Sequence, residues 1–298
     1  MDLAELNRRL AVTEQIAREA GTLARKWFDQ RDRLQIENKG PQNLVSEADR
    51  AVEVLIRDRL GAAFPGERVI GEEGGDDGAP VGAPGGAPGR AEGGNGSAPI
   101  WIVDPIDGTQ CFLAGIPSWC VSIGMTGETG MALGVIHDPV MGETFTGGPE
   151  LGAFCNGQPI RVHEASGFGE GMVEVGISLR RPIEETLVVL ERLLRAGGIH
   201  HRSGTGALSL AYVAAGRYIG YYEDHMNTWD SCAGVALVEG AGGWCSDIFA
   251  DEGLTRGARV IASGKPLAPA MRALAEGSGP AVGPAAGPAV DPAAGPAS

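Results

Sequence analysis

The stretch WIVDPIDGTQCF, residues 101–112, ends an apolar run with two aspartates that stand three residues apart. The apolar residues predict a buried strand over 100–104, with Asp104 at its end and Asp107 just beyond. Pro, Asp and Gly also favour tight turns, and an Asp side chain can hydrogen-bond its own backbone. The stretch alone therefore fits an acidic turn as well as a functional site at a strand end.

The composition restricts the classes of function. The chain has 298 residues, of which 43% are hydrophobic, as expected for a globular protein with a substantial core. Its 38 acidic and 24 basic residues give a net charge of −14, which argues against nucleic acid and anionic lipid as partners. An acidic protein can still bind an anionic substrate through metal cations.

Targeting and thiol signals indicate a cytoplasmic protein. We find no apolar run of membrane-spanning length and no apolar core of a secretory signal near the N-terminus. The five cysteines are an odd number without a C-x-x-C pair, which favours reduced thiols over disulfides or a zinc site.

Two segments consist mostly of Gly, Ala and Pro and cannot bury enough apolar surface to offset the entropy of ordering. We expect residues 74–99 to form a flexible loop inside the fold and residues 277–298 to form a disordered tail. We expect an N-terminal α+β half over 1–150 and a C-terminal α/β half over 151–268.

Apolar periodicity predicts helices and strands in alternation. Helices are predicted over 3–28, from a cap at Ser46, and over 182–196, 206–216 and 228–242, the last with Thr228 as a candidate cap. Strands are predicted over 68–71, 100–104, 120–126, 131–138 and 218–223, with a hairpin turn at 127–130. This mixture predicts an α/β or α+β fold in layers, without a purely parallel sheet.

Acidic residues stand at four junctions between these elements, namely Glu47 and Asp49, Glu72 and Glu73, Asp104 and Asp107, and Asp230. Each alone fits a helix-dipole contact or a solvated loop. Several carboxylates that converge repel one another, and a divalent cation relieves this repulsion. Oxygen ligands suit Mg²⁺, Mn²⁺ or Ca²⁺ rather than zinc. No histidine stands at ligand spacing, so we expect His225 and the others to be surface or packing residues.

Gly108 and Thr109 predict the start of a helix whose free N–H groups can bind an anion. Glycine lets a phosphate approach the backbone closely. Asp104 and Asp107 would hold cations beside that phosphate, and Thr109 with a nearby acid can orient a water and accept its proton. These are the parts of metal-assisted phosphate hydrolysis.

At this point the sequence resembles the inositol monophosphatase family of Mg²⁺-dependent, lithium-sensitive phosphatases. The resemblance runs from about residue 5 to residue 268, and its most specific motifs are WIVDPIDGT (101–109) and TWDSCAGVALVEGAGG (228–243). It implies a five-layer αβαβα sandwich of the inositol monophosphatase and fructose-1,6-bisphosphatase type, usually a homodimer.

The resemblance also implies roles for single residues. The first metal would be held by Glu72, Asp104 and the carbonyl of Ile106, and the second by Asp104, Asp107 and Asp230. Gly108 and Thr109 match the phosphate cradle, and Asp49 matches the acid that acts with Thr109 on the nucleophilic water. Glu73 resembles a more distant acid or a partner of a third metal, and Lys39 a lysine near the mouth of the site.

The substrate alcohol is contacted in this family by the second half of the chain. The matching positions are Gly204, Thr205, Gly206 and Ala207 along the ring, and Glu223 at the alcohol hydroxyls. Gln110, Cys111 and Asn227 depart from the residues common in the family at positions that line or border this pocket. These departures leave every metal ligand in place but weaken the identification of the substrate.

The implied reaction is hydrolysis of a small phosphate monoester by metal-activated water, without a covalent intermediate. Inositol-1-phosphate is the first candidate substrate. Histidinol phosphate is the leading alternative within the family, since Glu223 also suits a cationic alcohol. The family also contains hydrolases of fructose-1,6-bisphosphate and of nucleotide 3′-phosphates. A non-catalytic regulatory binding protein on the same fold is a further alternative, although such a protein would be expected to lack metal ligands.

We predict that deleting residues 277–298 leaves phosphatase activity unchanged, because the tail lies beyond every residue with an implied role. Phosphate release by the full chain and the truncated chain, measured side by side, checks this. A large loss of activity on truncation would contradict a passive tail.

Overall fold

Two mixed β-sheets with helices between and outside them form the fold of this chain. A computed structural model describes residues 1–34, 36–40, 43–76 and 99–276. The predicted tail 277–298 and nearly all of the predicted loop 74–99 lie outside the described residues.

Eight α-helices are present in the described part of the chain. They are α1 (Leu3–Asp29), α2 (Glu47–Ala63), α3 (Thr109–Ala114), α4 (Ile183–Arg195), α5 (Gly206–Ala214), α6 (Thr228–Gly240), α7 (Gly253–Arg256) and α8 (Ala268–Glu276).

Fifteen strands are present in the same part. They are β1 (Ile36–Gly40), β2 (Asn43–Ser46), β3 (Arg68–Gly71), β4 (Gly75–Asp76), β5 (Ile100–Asp107), β6 (Cys120–Thr126), β7 (Met131–Asp138), β8 (Glu143–Gly148), β9 (Gly152–Cys155), β10 (Gln158–Pro159), β11 (Met172–Val175), β12 (Ile199–His201), β13 (Gly220–Met226), β14 (Trp244–Cys245) and β15 (Ala258–Ser263).

The predicted helices are confirmed, with ends that differ by at most two residues. Ser46 caps α2 as expected, because its hydroxyl accepts a hydrogen bond from the N–H of Ala48 at 3.1 Å. The predicted cap of α6 is wrong. Asn227 takes the cap position, and the hydroxyl of Thr228 donates instead to the carbonyls of Gly253 and Leu254.

The strand that begins the WIVDPIDGT motif is longer than predicted. β5 continues past Asp104 to Asp107, which pairs with Cys120 of β6 after a register shift between the two aspartates. Pro105 is accommodated because β5 pairs with β3 only as far as Val103, so no ladder bond on that side needs its missing N–H. The irregularity turns Asp107 into the same region as Asp104. The predicted strand 218–223 is shifted and occupies Gly220–Met226.

The large sheet has the order β10-β9-β8-β7-β6-β5-β3-β4, and the small sheet has the order β12-β11-β13-β15-β14. β3 runs parallel to β5, and β11 runs parallel to β12 and β13, whereas the other described pairs are antiparallel. The β6–β7 hairpin joins its strands through residues 127–130, as predicted.

The layers follow from what each helix contacts. α1 and α2 cover the outer face of the large sheet, α5 and α6 lie between the two sheets, and α4 and α8 cover the outer face of the small sheet. The expected five-layer αβαβα sandwich is therefore confirmed.

Three apolar clusters bind these layers together, one at each outer helical layer and one around α5 and α6. The middle layer is mostly small residues. α6 buries Cys232, Ala233, Gly234 and Ala236, so that it can approach both sheets closely. This close approach brings the start of α6 next to the end of β5.

None of the described helices is both long and apolar enough to span a membrane. The division of the chain into halves at residue 150 stays a prediction.

We predict that Gly134→Ala destabilises the protein by about 1–3 kcal/mol, because the new methyl group has no room. It would lie 2.2 Å from the carbonyl oxygen of Ala233, so β7 and α6 would have to move apart. Gly169→Ala is the matched control, since nothing lies within 4 Å of a methyl group there. Urea denaturation of the three proteins measures the free energy of unfolding, and equal values for both variants would contradict this packing.

Candidate active site

A pocket of about 650 Å³ lies where the end of β5 and the starts of α3 and α6 face β11, β13 and residues 202–206. Among the described residues that line it are two arginines and six carboxylates. The carboxylates are Glu72, Asp104, Asp107, Glu174, Glu223 and Asp230. The pocket is therefore strongly acidic.

Three of the predicted ligands converge in this pocket. Asp104, Asp107 and Asp230 each contribute a carboxylate oxygen to a group whose oxygens all lie within 4.8 Å of one another. Asp104 and Asp107 are 1% and 7% exposed on β5, and Asp230 stands in the first turn of α6. An acidic turn alone would leave these side chains in solvent, so the turn interpretation does not account for the burial of Asp104 and Asp107.

Asp107 is held by the residues that begin α5. Its Oδ2 accepts a hydrogen bond from the Thr205 hydroxyl and another from the N–H of Ala207 at 2.7 Å. Its Oδ1 accepts from the N–H of Gly206 at 3.3 Å. Free N–H groups at a helix start favour a carboxylate, so the start of α5 fixes the orientation of Asp107.

Asp230 is oriented by the residue that departs from the family pattern. Its Oδ2 accepts hydrogen bonds from the backbone N–H of Asn227 at 3.2 Å and from the Asn227 side-chain amide at 3.1 Å. Asn227 therefore caps α6 and steadies a carboxylate of the cluster at the same time.

Burial and mutual repulsion shift the proton affinities of the cluster. Burial, reinforced by the charges of Glu72, Asp107 and Asp230, raises the pKa of Asp104 well above its usual range. Burial and the charge of Asp107 raise the pKa of Asp230 to about 7. The cluster consequently retains protons near neutral pH unless a cation replaces them.

Glu72 lines the same pocket from the end of β3, where its N–H donates to the carbonyl of Val103 at 3.3 Å. Burial and the charge of Asp230 raise its pKa well above the usual value. Glu73 is not among the described lining residues. The N–H of Glu73 donates to the carboxylate of Glu53 at 2.8 Å, so the buried Glu53 shapes the turn that presents Glu72.

Asp49 and Thr109 meet beside the cluster. Oδ2 of Asp49 accepts hydrogen bonds from the N–H and the hydroxyl of Ser46 at 2.9 and 2.7 Å. The hydroxyl of Thr109 lies 3.3 Å from Oδ1 of Asp49 and 3.0 Å from the carbonyl of Ile106. Burial raises the pKa of Asp49. This acid thus completes the capping box at the start of α2 with one oxygen and contacts Thr109 with the other.

The turn at Gly108 starts α3, as the sequence predicts. Gly108 has φ 93°, in the left-handed region. A side chain there would also lie 2.8 Å from the carbonyl oxygen of Ser118. Gly108 is thus required both for the turn and for the close packing that leaves the start of α3 open to the pocket.

The far side of the pocket contains the residues expected to contact the alcohol. Gly204, Thr205 and Gly206 line it, whereas the buried Ala207 is not among the lining residues and gives its N–H to Asp107. Glu223 accepts a hydrogen bond from the Tyr221 hydroxyl at 2.6 Å. Burial is the main reason that the pKa of Glu223 rises to about 7.

The departures Gln110 and Cys111 line the pocket as well. Cys111 Sγ lies 3.6 Å from the carbonyl of Ser203, so this thiol borders residues 204–206. Lys39 lies on β1, but its side chain is outside what the structure describes.

Several lining residues had no signal in the sequence, namely Glu174, Arg180, Arg202, His225 and Trp229. The prediction for His225 as an ordinary surface or packing residue missed this position in the pocket. Its Nε2 lies 2.8 Å from the carbonyl of Arg256. Glu174 stands in an apolar strand, where a single acidic residue would be interpreted as facing solvent. Only the pairing of the small sheet turns it toward the pocket.

The donor set fits a hard divalent cation. It consists of carboxylate oxygens from Glu72, Asp104, Asp107 and Asp230 with the nearby carbonyl of Ile106, and Mg²⁺, Mn²⁺ and Ca²⁺ prefer such ligands. Burial, reinforced by the charges of neighbouring acids, raises the pKa values of Glu72 and Asp104, so a bound cation would favour their ionised forms.

Comparisons with known proteins identify the family of this chain. Residues 5–281 match the model of the inositol monophosphatase family. The chain is 35% identical to an inositol-1-monophosphatase of Mesorhizobium japonicum, over 85% of this chain and 90% of that protein. It is 31% identical to a Nus factor SuhB of Pseudomonas aeruginosa, over 85% and 90%.

Solved structures show the same fold. The crystal structure of the extragenic suppressor protein suhB from Bartonella henselae superposes with a TM-score of 0.78 at 32% identity, over 91% of this chain and 99% of that chain. An inositol monophosphatase from Anabaena superposes with a TM-score of 0.74 at 26% identity, over 94% and 98%. With a family model that covers most of its length and relatives above 30% identity, the chain belongs to the inositol monophosphatase family and is a phosphatase.

Proposed function

We propose that this chain hydrolyses a small phosphate monoester, with inositol-1-phosphate as the first candidate, in a reaction that depends on Mg²⁺. The observation that carries the proposal is the group of Asp104, Asp107 and Asp230 in one pocket, the first two buried and the third half-buried, with Thr109 and Asp49 in contact beside it. From the family we extend the proposal to a homodimer, inhibition by lithium and a cytoplasmic location.

The metal ligands proposed are those expected from the family. Glu72, Asp104 and the Ile106 carbonyl would hold one cation, and Asp104, Asp107 and Asp230 a second, with Glu73 further out. When bound, such cations neutralise the carboxylates and the phosphate and lower the pKa of water. The chain supports this arrangement because Thr205, Ala207 and Asn227 already donate hydrogen bonds that fix two of the carboxylates.

The nucleophilic water is proposed to lie against Thr109. The Thr109 hydroxyl has one proton, which it donates to Asp49 or to the Ile106 carbonyl, and its lone pairs stay available to accept from a water. Asp49 is the base, and its raised pKa favours acceptance of a proton. The N–H groups at the start of α3, around Gly108 and Thr109, would hold the phosphate oxygens.

The alcohol is proposed to lie along Gly204–Gly206, with Glu223 at its far end. Because the pKa of Glu223 is about 7, this carboxyl can accept from or donate to a hydroxyl near neutral pH. Histidinol phosphate is the second candidate, since an ionised Glu223 in an acidic pocket also suits an ammonium group.

A phosphate-release panel tests the reaction and its substrate. With Mg²⁺, we expect release from inositol-1-phosphate to exceed release from histidinol phosphate, fructose-1,6-bisphosphate and a nucleotide 3′-phosphate. Asp104→Asn should lower kcat/KM by roughly two orders of magnitude or more, because the residue is proposed to contact both cations.

Asp58→Asn, at an exposed position of α2, is the matched control and should behave as the wild type. Normal turnover in Asp104→Asn would refute the site assignment. A clear preference for histidinol phosphate would establish the second candidate instead.

Metal-free protein should lose thermal stability as the pH rises from about 5 to about 8. Asp230 and Glu223 have folded-state pKa values of about 7, above the usual values of carboxyl groups. The folded state therefore binds more protons than the unfolded state in this window, and the free energy of unfolding falls with increasing pH.

Mg²⁺ should then raise Tm more at about pH 8 than at about pH 5, because protons compete with the cation at low pH. Calorimetry in a chelator and with added MgCl₂ measures both effects, with KCl at equal ionic strength as the control. An equal rise of Tm at both pH values would contradict a carboxylate site.

A further inference from the structure

The orientation of Asp107 depends on a short segment that is itself held from the small sheet. We call residues 203–207 the strip. Its members Thr205, Gly206 and Ala207 donate three hydrogen bonds to the carboxylate of Asp107. If the strip moved, Asp107 would lose the groups that orient it.

Ser203 anchors the strip at its start. The N–H of Ser203 donates to Oε1 of Glu174 at 2.7 Å, and its hydroxyl lies 3.2 Å from the same oxygen. The hydroxyl also lies 2.7 Å from the hydroxyl of Ser209 in α5. Gly204 follows with φ 88°, so the chain turns sharply between this anchor and Thr205.

Glu174 lies on β11 and is 2% exposed. Its second oxygen, Oε2, lies 2.8 Å from Nδ1 of His201, the last residue of β12. Both oxygens of this carboxylate therefore have hydrogen-bond partners within the protein. Glu174 connects a strand of the small sheet to a segment that orients an acid of the large sheet.

We infer that Glu174 is a positioning residue that, through Ser203 and the strip, sets the geometry of Asp107 for cation binding. This inference rests on the proposed metal site. The reach of the side chain matters here, since the N–H of Ser203 needs an acceptor at this distance from β11. The negative charge of Glu174 is not needed for this role, because Oε1 serves as an acceptor in an amide as well as in a carboxylate.

Two substitutions of Glu174 distinguish the effect of its side-chain length from the effect of its negative charge. Glu174→Gln keeps the acceptor for Ser203 and turns an amide N–H₂ toward Nδ1 of His201, which can accept in the neutral ring. Glu174→Asp keeps the charge but is shorter by one methylene group and loses the contact with Ser203. Asp138→Ala is the control, because this buried carboxylate also accepts backbone N–H groups, those of Val140 and Met141, outside the pocket.

The experiment titrates Mn²⁺ alone into each protein by calorimetry and then measures kcat and KM with saturating Mg²⁺. We expect Glu174→Asp to weaken Mn²⁺ binding roughly tenfold, as is common when a residue that orients a metal ligand is lost. Glu174→Gln should bind Mn²⁺ nearly as the wild type does. Asp138→Ala should lower Tm and leave Mn²⁺ affinity unchanged. At saturating Mg²⁺, the KM for the phosphate monoester should change by a smaller factor than the affinity for Mn²⁺.

If Glu174→Asp does not fold, Ser203→Ala decides, since it removes the hydroxyl contacts of the anchor, and it should weaken Mn²⁺ binding in the same direction. Unchanged Mn²⁺ affinity in Glu174→Asp, or a loss confined to Glu174→Gln, would overturn the positioning role while the metal site stands. A wild type that binds no Mn²⁺ would overturn the metal site and the positioning role together.

Discussion

The repulsion among buried carboxylates is the constraint on which the rest of this structure depends. Asp104, Asp107 and Asp230 place oxygens within 4.8 Å of one another, and Glu72 lines the same pocket. Burial and mutual repulsion raise the pKa values of Asp104 and Asp230, and bound protons or a cation would offset this cost. No gain in packing requires such a group, so its presence indicates a site for positive charge.

The five layers make this convergence possible because the acids come from segments far apart in the chain. β5 delivers two of them through its irregular pairing with β6, and α6 delivers the third from between the sheets. α6 can lie this close to the large sheet because Gly134 faces the backbone of Ala233 without a side chain. The small-residue middle layer is thus a condition for the site as well as for the core.

The sequence predicted the parts of the site that depend on local signals. The cap at Ser46, the turn at Gly108 and the acids near element ends follow from residue type and spacing. The continuation of β5 to Asp107 did not, since it depends on pairing with β6. The role of Glu174 had no local signal either, because one acid in an apolar strand acquires meaning only when β12 and the strip pack against it. Both features depend on pairing and packing between segments far apart in the chain, which local sequence patterns do not reveal.

The structural and functional interpretations of these acids are complementary rather than exclusive. Asp49 accepts a hydrogen bond from the cap residue of α2, Asp230 lies in the first turn of α6, and Asp107 accepts the N–H groups that start α5. Each helix start stabilises a nearby carboxylate by about 0.3–1 kcal/mol, which offsets part of the repulsion within the cluster. An acid whose only role was to stabilise a helix start would gain most of this stabilisation at an exposed position as well. The grouping of these acids in and beside one pocket, with Asp49 and Asp107 buried, is therefore the feature that capping alone leaves unexplained.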